Sequence, residues 1–255
     1  MKNIFCFVCI AALLFACQSE KTNLTINGEI EGLKKGKLYL QKVVDTNLVD
    51  IDSIEISGES NFVFETYIEE PQILFIELDK KDGDNYEDIL SFFAEPGEMK
   101  LKTSLKRFGI DLEIISNFEN QQKYDEFRIT IKRFNNQHLD LVEANFEAGK
   151  NNNEEKLDSI NKAYNNVLKR KYLYTVNFAI NNKDLEVAPY VILSEAFDAN
   201  VKYLDTVYNS LDRKVRKSLY GEKLEDLIKS RKKLENKEEN TLETETIETT
   251  KDSIV

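Results

Sequence analysis

The sequence predicts an α+β chain: an N-terminal antiparallel β-sandwich-like domain, then a helical region, then a disordered acidic tail. Three features of the chain carry this. Short segments rich in Ile, Val, Phe and Tyr, several alternating with period two, run from Asn23 to about Ser116. From Phe118 the apolar residues recur at intervals of three and four, the period of a helix. After Asn236 the residues are mostly Glu, Thr, Asn and Lys, which cannot bury enough surface to offset the roughly 1–2 kcal/mol per residue of ordering entropy.

The first element is a leader. "MKNIFCFVCIAALLFACQSEK" has one lysine near its start, an apolar run from Ile4 to Ala16 and a polar switch at Gln18. That run is shorter than the roughly 20 residues a spanning helix needs and suits a signal peptide over 1–16. Its end, Leu14-Phe15-Ala16-Cys17, resembles a bacterial lipoprotein signal. The resemblance implies cleavage between Ala16 and Cys17 and a diacylglyceryl group on the Cys17 sulfur. Residues 17–22 would then be a lipidated spacer. Two or more acyl chains, each contributing about 0.8 kcal/mol per buried CH2, hold a protein stably on a membrane.

Eight strand-like segments occupy 23–117. They are "LTINGEIEG", "GKLYLQKVV", "VDIDSIEIS", "NFVFETYI", "QILFIELD", "ILSFFAEPGE", "MKLKTSL" and "IDLEIIS". In the fourth, Phe62, Phe64, Thr66 and Ile68 share one face. "EPGE" reads as a type II turn, with Pro96 presetting φ and Gly97 supplying a positive φ. The helical region covers 118–235. One stripe comprises Tyr124, Phe127, Ile131, Phe134, His138 and Leu141, with Gly149 expected to end that helix. A second comprises Ile160, Tyr164, Val167, Lys171, Tyr174 and Phe178. Pro189 suits the first turn of a shorter third helix, and helices are expected over about 202–211 and 212–234. The tail is 236–255.

Composition restricts the chemistry. Acids outnumber bases 46 to 35, a formal charge of -11, which argues against nucleic acid as a partner because phosphate binding concentrates Lys and Arg. The three cysteines are Cys6, Cys9 and Cys17, so a chain beginning at Cys17 keeps one thiol and has no disulfide or Cys-ligated metal. Cys6 and Cys9 have redox spacing but lie in the leader. His138 is the single histidine, and it lies on an apolar stripe, where a structural role is expected. Two acidic groups are candidates for calcium: Asp45, Asp50, Asp52 and Glu55 around one hairpin, and Asp79, Asp82, Asp84 and Asp88 around Gly83. Neither has EF-hand spacing, and both are expected to be solvated acids. No GxGxxG, GxxxxGK or GxSxG motif occurs. No catalytic, cofactor or metal residue is therefore assigned, and the chain is not expected to be an enzyme.

Taken in order, "INGEIEGLKKGKLYLQ", "IDSIEISGESNFVFE", "ILFIELD", "FFAEPGEMKLK" and "NFENQQKYDEF" resemble a Bacteroidetes domain of unknown function that commonly lies N-terminal to a thioredoxin-like domain in lipoproteins. In that family a polar "GS" lead-in precedes the helix; here it is Ser116-Asn117. The resemblance covers about 22–127 and more loosely reaches Leu234. A thioredoxin-like domain with its Trp-Cys-x-x-Cys segment is not expected here, since no such segment occurs in the sequence and it has no Trp. The expectation is a lipoprotein of the cell envelope, in the outer membrane and facing periplasm or cell surface. It would act as a non-catalytic binding or interaction module with a protein or ligand partner and no cofactor. The alternative is an accessory that recruits a thioredoxin-like partner in trans.

Overall fold

The computed structural model describes residues 22–80 and 88–251, with side chains described through residue 235. The chain divides into two compact units between Ser116 and Asn117.

The first unit holds the eight strands: β1 (Leu24–Glu31), β2 (Lys35–Val44), β3 (Asn47–Ser57), β4 (Asn61–Thr66), β5 (Gln72–Asp79), β6 (Asp88–Ala94), β7 (Gly97–Ser104) and β8 (Glu113–Ile115). They form two four-stranded sheets, ordered β4-β1-β7-β8 and β3-β2-β5-β6. Alternation puts one face of each sheet inside. Leu24, Ile26, Phe62, Phe64, Met99 and Leu101 are buried in the first sheet, and Leu38, Leu40, Leu74, Ile76, Leu90 and Phe92 in the second. Gly28 faces Phe62 across the β1–β4 pair, and the ring lies where a Cβ on that glycine would go. It sits edge-on to Phe64, with centroids 5.6 Å apart.

Two details differ from the sequence expectation. The sheets are not wholly antiparallel, because β1 pairs with β7 in parallel while β1–β4 and every pair of the second sheet are antiparallel. The chain passes from β6 of one sheet to β7 of the other, and β7 runs the same way as β1. The handover at Pro96 is a bend, and Gly97, at φ 142°, already begins β7. Its N–H donates to Asn23 O at 2.8 Å, so the glycine joins the ladder where a type II turn was expected.

The second unit is helical: α1 (Glu119–Lys150), α2 (Glu154–Asn181), α3 (Val187–Glu195), α4 (Val201–Ser210), α5 (Arg213–Arg216) and α6 (Leu219–Lys251). The first two pack as a long helical hairpin; α1, at 32 residues, is about 48 Å long. Phe127 stacks on Tyr174 with centroids 5.6 Å apart and tilts against Phe178 at 4.9 Å, so the two predicted stripes meet. Gly149 does not end α1. The left-handed residue is Asn152 at φ 51°, a conformation Asn tolerates, while Asn153 accepts from Lys156 N to start α2. The helix expected over 212–234 is broken at Lys217-Ser218. Ser218 Oγ donates to Val215 O at 2.8 Å and accepts from Gly221 N at 3.4 Å, capping a new helix. That helix, α6, runs on through 236–251, the stretch assigned from sequence to the tail.

A polar cluster fixes the start of α3. Asn120 and Glu186 are 1% and 2% exposed. Asn120 Nδ2 donates to Glu186 Oε2 at 3.0 Å, and Asn120 Oδ1 accepts from Val187 N at 2.7 Å. Lys214 Nζ lies 3.2 Å from Glu186 Oε1. The N–H groups of the first turn are thereby accounted for: Ala188 donates to Leu185 O, Pro189 has none to place, and Tyr190 donates to Glu186 O.

Candidate functional site

Towards the loop that joins α1 to α2, the aromatic packing of the hairpin opens. His138 and Tyr164 face each other edge-on with centroids 5.1 Å apart, and both are exposed. Between them and the end of α3 lies a cavity of about 200 Å3. Helix α1 lines it with Phe134, Asn135 and His138, and α2 with Tyr164, Val167, Leu168, Lys171 and Tyr172. The last residues of α3, Ser194 and Glu195, and the following Phe197 and Asp198 close the third side.

Local sequence explains that third wall. Ala196 N donates to Ile192 O at the end of α3, and Asn200 Oδ1 accepts from Lys202 N to start α4. The connection between these caps is short, and it anchors on buried Ala196 and Ala199 while leaving Phe197, 55% exposed, at the cavity.

Two pairs supply the electrostatics. Lys171 Nζ is 2.7 Å from Glu195 Oε2, with side chains 21% and 27% exposed, so this ion pair is more sheltered than the chain's surface pairs. Burial, followed by the hydrogen bond it donates to Asp198 and that residue's charge, holds the Tyr172 hydroxyl well above the usual phenol range. It remains a proton donor. Ser194 Oγ donates to Val191 O at 3.4 Å. The arrangement offers ring surface and paired polar groups, which suits binding and orienting a small group.

The residues singled out from sequence fall in different places. Cys6, Cys9, Ala16 and Cys17 lie outside the described residues, as do Asp82, Gly83 and Asp84. Asp88 pairs with Lys80. In the hairpin group, Asp45 occupies the β2–β3 turn at φ 56° and Asp52 Oδ1 accepts from Ser53 N. Asp50 and Glu77 each accept from Gln41 Nε2 at 2.8 Å, so an amide nitrogen occupies the place between these two carboxylates. Among the described residues no group of three or more His, Cys, Asp or Glu could hold a metal ion. His138 does lie on the apolar stripe, but at the cavity wall instead of in the core. Sequence reasoning passed over Phe197, Asp198 and the Lys171–Glu195 pair.

Residues 24–154 match the family described as Domain of unknown function (DUF4369), a stretch that takes in all eight strands, α1 and the first residue of α2. The chain belongs to the DUF4369 family. No curated protein matches it. Of the cavity in this DUF4369 chain, the α1 wall falls inside the matched stretch and the other walls fall outside it.

Proposed function

We propose that this chain is a lipid-anchored, non-catalytic binding module of the cell envelope. It would be tethered through Cys17 and would present the helical cavity to a ligand or partner group. The observation that carries the binding reading is the cavity itself, an aromatic recess with two fixed polar pairs, Lys171–Glu195 and Tyr172–Asp198. Leu14-Phe15-Ala16-Cys17 at the end of an apolar run supports the anchor. No helix among the described residues is long and apolar enough to cross a membrane.

The anchor is tested by fractionating envelopes that express the wild type or Cys17→Ala and labelling them with a palmitate analogue. The variant is expected to lose both label and membrane retention; unchanged labelling refutes the anchor. The partner is sought by crosslinking in the native envelope through a photoreactive residue at position 197. Recovery of a thiol oxidoreductase would instead favour the redox-accessory role.

A further inference from the structure

We propose that the helical cavity takes a small organic ammonium group, an inference that rests on the cavity being the chain's binding site. At about 200 Å3 the cavity is smaller than the roughly 300–1,000 Å3 of sites for drug-sized ligands. A group the size of one side chain fits it. Two properties select a cation.

The first is the lining. Four of its twelve residues, Phe134, Tyr164, Tyr172 and Phe197, are Phe or Tyr. A cation within about 6 Å of a ring centroid is drawn to the negative face of the ring, worth roughly two- to thirty-fold in affinity as the site becomes drier. The rim already holds an example: the Arg170 guanidinium lies 5.7 Å from the centroid of Phe134.

The second is charge. The lining carries two carboxylates, Glu195 and Asp198, against one ammonium, Lys171. Lys171 is matched by Glu195 at 2.7 Å, which leaves Asp198 with a neutral hydroxyl from Tyr172. Arg231, outside the lining, directs its fork to the backbone oxygens Phe197 O and Ala199 O at 3.2 and 3.4 Å. Within the lining an anion meets a cation that is already paired and a carboxylate that repels it, while the Arg170 guanidinium stands outside the lining over Phe134. An ammonium group meets ring surface and Asp198.

The chemistry is the same for a free amine and for a lysine side chain of a partner, so the test includes both. The full chain in detergent micelles is titrated calorimetrically with choline and with its uncharged isostere, in which a tert-butyl group replaces trimethylammonium. Butyrate serves as the anion and a doubly blocked lysine as the side-chain source. Choline or blocked lysine is expected to bind at least about fivefold more tightly than the isostere, and the tighter of the two names the source. Phe197→Ala and Asp198→Asn, both at exposed positions, should each weaken that binding by a similar factor. Phe146→Ala, at a residue 69% exposed and outside the cavity, should not. Equal or tighter binding of the isostere or of butyrate overturns the cation assignment and leaves the binding site standing. Absence of binding by all four overturns the cavity as a binding site.

Discussion

Replacing Asn120 by Ala tests the cluster that fixes the start of α3. The asparagine donates to the Glu186 carboxylate at 3.0 Å and accepts from Val187 N at 2.7 Å, and both side chains are almost wholly buried. A hydrogen bond to a charged group contributes roughly 1.5–3 kcal/mol, and a buried N–H left without an acceptor costs roughly 1–3 kcal/mol. Water could recover part of this only by entering the space left by the amide. The expected loss is therefore about 3–5 kcal/mol. Urea unfolding followed by far-ultraviolet circular dichroism measures it, because every α-helix described belongs to the second unit. With a slope of about 2–3 kcal/mol per molar, the midpoint should fall by roughly 1–2 M at unchanged slope. A double-mutant cycle with Glu186→Gln should return a coupling of about 1–3 kcal/mol. A fall below about 1 kcal/mol, or a coupling near zero, would refute the account of this cluster.

Three further outcomes are expected. Gly221→Ala should destabilise, against the gain of up to about 1 kcal/mol that alanine normally brings to a helix. The new Cβ would lie 2.0 Å from Val215 O and 2.7 Å from the Arg216 backbone, a clash costing roughly 1–3 kcal/mol net. Gly149→Ala, whose Cβ would meet nothing within 4 Å, should be neutral or slightly stabilising when both variants are compared by urea unfolding, and equal effects at the two sites would refute the clash at Gly221. Asp111 is held at about 2, below its ordinary 3.8, first by Ser104 Oγ, then by Thr103 Oγ1 and Ser104 N. A folded-state value below the unfolded one gives stability that is complete above about pH 4 and lost as pH falls towards 2. Measured against Asp111→Asn, the wild type should lose its advantage across that window; a constant difference counts against it. Photocrosslinking from position 146, outside the cavity, should recover less of whatever position 197 captures, and equal capture would detach partner binding from the cavity.

Much of the first unit was legible in the sequence because alternation is local. Phe62 and Phe64 mark a buried face whatever strand pairs beside them, and the eight segments became eight strands. The parallel β1–β7 pair was not legible, since it depends on which sheet receives the chain after Ala94 and not on β7 itself. In the helices, stripe residues such as Phe127 and Tyr174 could be paired by period alone. Asn152 in place of Gly149, and the cap at Ser218, turned on single-residue backbone preferences that several neighbours could have met. The cavity was least legible. His138, Tyr164 and Lys171 lie on the predicted stripes, yet periodicity records which residues face inward and not whether they fill the space. The Lys171–Glu195 pair requires α3 to end beside the middle of α2, which the sequence of neither helix specifies.

The extent of the family match bears on what family membership can say about ligands. The matched stretch ends at residue 154, as α2 begins, so α1 is inside it while the surfaces that cover α1 are outside. Phe127 packs on Tyr174 and Phe178, and Asn120 bonds to Glu186 and Val187, all beyond the match. Most of the stability of a helix with such an apolar stripe comes from packing that stripe on those partners. The matched stretch of this chain therefore supplies the two sheets and one wall of the cavity, and the residues after it supply the other walls. In this chain the ion pair, Tyr172, Phe197 and Asp198 all come from the remainder. The shape and charge of the cavity in this chain are thus set mainly by side chains on α2, at the end of α3 and just after it, which the family match does not reach.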